Sequence, residues 1–175
     1  MPDYAIREAT EDDAEKLIAY LEELSQEPDI PLPLTPGCVK LTLEQELDYL
    51  RHHIEPENSI YLVAEADGEI IGAFHCTGDN LPMTREMTQH CAELGVTVRN
   101  AWRHQGVGTA LIEHGLAWAR SVPMIKRIQL QVFADNKHAI HIYENLGFEI
   151  EGRRRKAFMR NGEFIDSLTM ALLIN

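Results

Sequence analysis

Apolar and polar positions along this 175-residue chain change their spacing often enough to mark out the elements in turn. Tyr4-Ala5-Ile6-Arg7-Glu8 alternates as a short edge strand does. Thr10 reads as the cap of a following helix, because Glu11-Asp12-Asp13 suits the positive end of a helix dipole and Leu17, Leu21 and Leu24 form one stripe. Residues 27–40 then carry Pro28, Pro31, Pro33, Pro36 and Gly37, too many breakers for a helix or a central strand, and predict a long loop. Thr42 with Gln45 resembles a capping box and opens a second helix through Leu43, Leu47 and Leu50.

Two β-prone apolar runs, Ser59–Ala66 and Glu69–Thr77, meet at Asp67-Gly68, a pairing that predicts a hairpin. A polar stretch from Gly78 to about Thr88 leads to a strand ending at Val98, and a helix follows from about Gln105 to Ser121. Ile128, Leu130 and Val132 alternate with Gln129 and Gln131, so the order strand, helix, strand predicts a βαβ unit with a right-handed crossover. Asp135 or Asn136 can cap the next helix, in which Ala139, Ile142, Tyr143 and Leu146 recur at helical spacing before Gly147 stops it. A last strand pair turns at Asn161-Gly162, with Leu168, Met170 and Leu172 directed inward. The pattern predicts an α/β (α+β) fold, with a mixed sheet of about six to seven strands and about four helices. No repeat or composition break divides the chain, so residues 1–175 are expected to form one domain.

Composition narrows the class. With 45% hydrophobic and 25% charged residues the chain reads as globular, and no apolar run reaches the ~20 residues of a membrane helix. The start, Met1-Pro2-Asp3-Tyr4, lacks the basic and apolar regions of a signal peptide. Cys38, Cys76 and Cys91 are odd in number and far apart, against a disulfide framework and against zinc. These features predict a cytoplasmic protein without a metal. The net charge of −12 opposes nucleic acid as a partner. Residues 1–95 hold 5 Lys/Arg against 21 Asp/Glu, and residues 96–175 hold 11 against 7. That asymmetry reads either as two solvated surfaces or as a second half that holds a polyanion while the first attracts a cation.

The segment from Val96 to Leu111 carries the candidate chemistry. A buried strand runs through a short loop, Arg103-His104-Gln105-Gly106-Val107-Gly108-Thr109, into the start of a helix. Glycines there let an anion approach backbone N–H groups at the positive end of the helix dipole, and Arg103 can add a full charge. Alone, two glycines near a helix start are more often turn or packing residues than an anion site. The glycine pattern of dinucleotide sites and the Gly-Lys-Ser/Thr ending of P-loops are both missing, which argues against a kinase-like or dehydrogenase-like nucleotide site. His138 and His141, three apart on a helix, lack a third ligand and are expected to face solvent. Arg153-Arg154-Arg155-Lys156 reads as a solvated face, and adjacency alone does not pair His90 with Glu93.

Taken together, Val96-x-Val98, Arg103-x-x-Gly106-x-Gly108 and the series Asn136, Ala139, Tyr143, Gly147, Phe148 resemble the GNAT superfamily of acyl-CoA-dependent N-acetyltransferases over nearly the whole chain. The resemblance implies a sheet that splays between the strand ending at Val98 and the strand ending near Phe133, with acetyl-CoA in the gap. The pantetheine arm would bond to backbone around Val96 and Val98, with Asn136 beside it. The pyrophosphate would rest on the amides of Arg103, His104, Gln105, Gly106, Val107, Gly108 and Thr109.

The same resemblance implies Glu93 as a base acting through water, Tyr143 as the acid facing the thiol sulfur, and the Val98 N–H as a donor to the thioester carbonyl. Strict alternation, however, puts Glu93 with Gly95 and Thr97, opposite Leu94, Val96 and Val98, unless a bulge intervenes. Tyr143 also reads as a core aromatic on its helix face. The acceptor implied is a primary amine, a small molecule or a protein N-terminus, attacked directly without a covalent enzyme intermediate. Segments 28–40, 78–90 and 156–165 would bind it, and similar proteins commonly form homodimers. A non-catalytic acyl-CoA-binding sensor is the alternative these residues leave open.

Overall fold

Seven strands form one continuous sheet in the order β1-β2-β3-β4-β5-β7-β6 in a computed structural model that describes residues 3–27, 32, 37, 39–80 and 83–174. β1 (Ala5–Glu8) is the edge strand the alternation predicts. Thr10 caps a single 3-10 turn, Glu11–Asp13, and the Asp13 carboxylate accepts from the Thr10 N–H at 2.9 Å to complete a capping box. Helix α1 (Ala14–Gln26) follows, then α2 (Leu43–Ile54), whose Thr42 and Gln45 form the expected box.

β2 (Ser59–Ala66) and β3 (Glu69–Gly78) make the expected hairpin, with Asp67 and Gly68 both in the left-handed region that its turn needs. A four-residue helix, α3 (Arg85–Thr88), interrupts the polar stretch. β4 (Cys91–Val98), α4 (Val107–Ser121) and β5 (Arg127–Phe133) are the βαβ unit. Helix α5 (Lys137–Asn145) leads to β6 (Glu149–Arg160) and β7 (Glu163–Leu173), which turn at Asn161-Gly162. No helix among the described residues is long and apolar enough to cross a membrane.

Each sheet face buries its own core. On one face Leu111, Ile112 and Leu116 of α4 share a core with Phe74, Ile128 and Met170 of the sheet. On the other, Leu17, Tyr20 and Leu24 of α1 and Leu50 of α2 share a core with Tyr61 and Val63 of β2. The α2 stripe differs from the leucine pattern. Leu43 is exposed, and the buried positions of that helix are Glu46, Leu50 and His53. A carboxylate thus occupies a core position that spacing of leucines alone would not reveal.

The functional geometry starts where the parallel pair fails. β4 and β5 pair only through Cys91↔Arg127, Ala92↔Ile128 and Glu93↔Gln129. Beyond them β4 stays paired to β3, through Leu94↔Cys76 to Val98↔Gly72, while β5 pairs with β7 throughout. The sheet therefore opens as a V with Glu93 and Gln129 at its fork.

Candidate functional site

A cavity of about 580 Å³ fills this V, lined on one side by Leu94–Val98 and on the other by Gln131, Val132 and Phe133. Backbone direction within β4 follows from one hydrogen bond. The Arg99 N–H donates to the Ile71 carbonyl on β3 at 2.9 Å. With a period of two, Thr97 and Gly95 also face β3, and the N–H groups of Val96 and Val98 turn into the gap. Arg103 Nε donates to the Val98 carbonyl at 2.9 Å, which occupies that acceptor and leaves the Val98 N–H open.

The loop at the wide end is held from several sides. Gly106 caps α4 at φ +85°, a conformation that favours glycine, with open space where a Cβ would stand. A Cβ on Gly108 would lie 3.5 Å from Val98 Cγ2, so the loop rests directly on the end of β4. Arg103 differs from its expected part. Its guanidinium forms an ion pair with Glu27 besides the bond to Val98, so its charge is already met and it serves to tie loop, strand and α1 end together. Gln105 turns away and donates to the Ala101 carbonyl at 2.7 Å, and the Val107 side chain is buried in the core. What these two offer the cavity is backbone. His104 lines the cavity with φ 59°, and its ring lies 4.7 Å from that of His138, which is exposed as expected and also borders the cavity. His141 instead contacts Asn145.

On the α5 side, the Asn136 side chain accepts from the Ala139 N–H at 3.2 Å and so caps the helix; it also lines the cavity. Tyr143 combines both readings of the sequence. It is 8% exposed, packs edge-on to Phe148 at 5.7 Å, and still reaches the cavity wall. Its hydroxyl has no hydrogen-bond partner among the described residues, and burial pushes its pKa up to about 12. Glu93 stands exposed at the fork, on the face shared by Gly95 and Thr97, and does not line the cavity. No bulge interrupts β4 between Ala92 and Val98, so alternation holds.

Sequence reasoning overlooked Thr97 as a site residue, whose hydroxyl accepts from Tyr20 at 2.8 Å, and reached Phe158 only as part of segment 156–165; its side chain meets the cavity from beyond an irregularity in β6. Phe158 could not be found by strand alternation, because the register shifts between Arg154 and Phe158 and Lys156 adopts φ 52°. Most of segment 28–40 and part of segment 78–90 lie outside the described residues; Leu32 lines the cavity. Among the described residues no group of three His, Cys, Asp or Glu side chains is disposed to hold a metal.

An open V in a mixed sheet, closed at its wide end by a glycine-bearing helix start, is a seat for an extended ligand with an anionic end. The chain belongs to the acetyltransferase (GNAT) family, whose profile matches residues 19–148. It is 39% identical over 110 residues to the L-amino acid N-acetyltransferase of Escherichia coli (strain K12), covering 63% of this chain and 65% of that protein. It is 26% identical over 125 residues to spermidine N(1)-acetyltransferase of the same strain, covering 71% and 64%. These alignments thus span just under two thirds of the relatives' own lengths. The crystal structure of a GNAT-family acetyltransferase from Streptococcus pneumoniae superposes with a TM-score of 0.90 at 32% identity, covering 98% of this chain and 100% of that one.

Proposed function

We propose that residues 1–175 act as a single cytoplasmic domain that transfers the acetyl group of acetyl-CoA to a primary amine. The observation that carries this reading is the opening of β4 from β5 beyond Glu93, with the Val96 and Val98 N–H groups turned into the cavity. A pantetheine arm lying there can bond to β4 as a further strand would. The amides from Arg103 to Thr109, around a left-handed Gly106, suit the pyrophosphate. Asn136 borders the arm through the part of its amide not used in capping.

The remaining residues then divide the proton traffic. The amine attacks the thioester carbonyl, a C–N bond forms and the C–S bond breaks. The Val98 N–H is placed to stabilise the carbonyl oxygen. Tyr143, kept protonated by burial, gives its proton to the departing sulfur. Glu93 at the fork takes the proton of the amine through water. No covalent enzyme intermediate is required, and the free thiol of Cys76, buried and with its pKa pushed up to about 12, stays out of the chemistry. A net charge of −12 favours a cationic acceptor over nucleic acid.

Steady-state release of CoA across a panel of amines, with the wild type and Tyr143→Phe, tests the reading. Turnover by the wild type, a fall of about 100-fold or more in kcat for the variant, and unchanged acetyl-CoA affinity are expected. Tight acetyl-CoA binding with no turnover on any amine would instead identify a sensor.

A further inference from the structure

Beyond Glu93, β4 has a strand neighbour on one side only, because β5 has turned away. A donor on the free edge of such a strand stabilises developing charge only if its direction is fixed in advance. Something other than β5 must fix it.

Helix α1 does so. Three of its residues at helical spacing, Tyr20, Glu23 and Glu27, reach the last residues of β4 and the loop that follows. Tyr20 is fully buried, and its hydroxyl donates to Thr97 Oγ1 at 2.8 Å. Glu23 pairs with Arg99 at 3.3 Å, and the Arg99 guanidinium lies 5.8 Å from the centre of the Tyr20 ring. Glu27, at the C-terminal end of the helix, uses both carboxylate oxygens. One accepts at 2.8 Å from the Asn100 N–H, which opens a 3-10 turn (Asn100–Trp102), and the other meets Arg103 Nη2.

Arg103 carries this grip to the edge that faces the cavity. The Arg99 N–H points to Ile71 on β3, so the carbonyl of the same trans peptide, that of Val98, points the opposite way, into the gap. Arg103 Nε donates to that carbonyl at 2.9 Å, beside the Val98 N–H. The guanidinium thus bonds β4 where a β5 partner would have stood, and Glu27 holds it there. The two side chains are 24% and 15% exposed, and an ion pair so far withdrawn from water adds little net stability. Its consequence is placement.

We propose that Glu27 is a positioning residue for the transfer step: by holding Arg103 on the Val98 carbonyl, it keeps the adjacent Val98 N–H aimed at the thioester carbonyl. The inference rests on the acetyl-transfer reading. Glu27 does not line the cavity, so its action passes through Arg103. Its loss loosens the donor without removing it, and should cost less than the roughly 100- to 1,000-fold of a missing oxyanion donor.

Glu27→Gln keeps an oxygen for the Asn100 N–H and removes the charge that holds Arg103. The wild type, Glu27→Gln, Arg103→Gln and the double variant are compared by steady-state kinetics on an amine that the wild type turns over, and by calorimetry with acetyl-CoA. The infrared stretch of an isotope-labelled thioester carbonyl in bound acetyl-CoA reads the donor directly, and thermal unfolding reports that each variant folds. In Glu27→Gln, kcat should fall about 10-fold, acetyl-CoA affinity should stay within about 2-fold, and the downshift of the carbonyl stretch should shrink. The double variant should lose no more than Arg103→Gln alone, since one residue acts through the other. Arg103→Gln opens the same pair from its other side and carries the test should Glu27→Gln fail to fold. Unchanged kcat and stretch, or losses that add in the double variant, overturn the role. So does an acetyl-CoA affinity that rises while kcat holds, because Arg103 then belongs to the phosphates. If the wild type turns over no amine, acetyl transfer itself fails, and the carbonyl stretch still decides whether Glu27 governs the donor.

Discussion

Replacing Glu46 by Gln should make stability less sensitive to pH, by an amount the burial of its carboxyl sets. Desolvation alone raises that pKa from 4.5 to about 7. The folded protein thus holds this proton more tightly than the unfolded chain. The sign follows from that: the contribution is fully present below about pH 4.5 and is lost as pH rises through 7. At about 1.4 kcal/mol for each tenfold in proton affinity, the loss approaches ~3 kcal/mol by pH 8, most of it above pH 5. Gln carries no such term. Urea unfolding of both proteins at pH 5 and pH 8 should show Glu46→Gln gaining on the wild type by about 2–3 kcal/mol between the two, or roughly 4–12 °C in Tm for a chain of this size. Buried histidines shift in the opposite sense and are common to both proteins, so they cancel in the difference. A gap between wild type and variant that does not change from pH 5 to pH 8 would refute the reasoning, because it would mean that the carboxylate is solvated or paired.

Other outcomes follow from the same face and from the cavity. Burial lowers the His75 pKa from 6.5 to about 4, so its contribution is present above pH 6.5 and lost as pH falls toward 4; His75→Gln should therefore gain on the wild type by about 1–3 kcal/mol between pH 7 and pH 4.5 in urea unfolding. Gly95→Ala forces a methyl to 2.4 Å from the His75 ring and should cost about 1–3 kcal/mol, a loss that the double variant with His75→Ala should largely recover if the clash is the cause. Gly106→Val places a β-branched residue at φ +85° and should weaken acetyl-CoA binding by more than about 10-fold in calorimetry; unaltered affinity would sink the proposed cradle.

Much of the frame was legible in local signals. Asp67-Gly68 and Asn161-Gly162 mark hairpins because only a few residue types accept two successive left-handed conformations, and all four adopt them. Thr42 with Gln45, and Asn136, mark helix starts because their side chains can satisfy N–H groups that the first turn leaves unpaired. The loop from Arg103 to Thr109 was visible as a place for an anion for the same reason. Alternation along β4 correctly separated Glu93, Gly95 and Thr97 from Leu94, Val96 and Val98.

Other features needed partners distant in sequence. Arg103 looks like a free charge until Glu27, 76 residues earlier, is brought against it. Glu46 reads as one more acidic residue of a solvated helix, and becomes a core carboxylate only when α2 lies on β2 and β3 with Leu50 and His53 inward. Phe158 joins the cavity through a register shift that no alternation announces. The sequence by itself determined the order of the elements, their caps and turns, and the family, because these depend on residues within a few positions of one another. Tertiary structure alone decided where β4 leaves β5, which charges are already paired, and which buried carboxylate is left unmet, because desolvation and pairing depend on what the folded chain brings into contact.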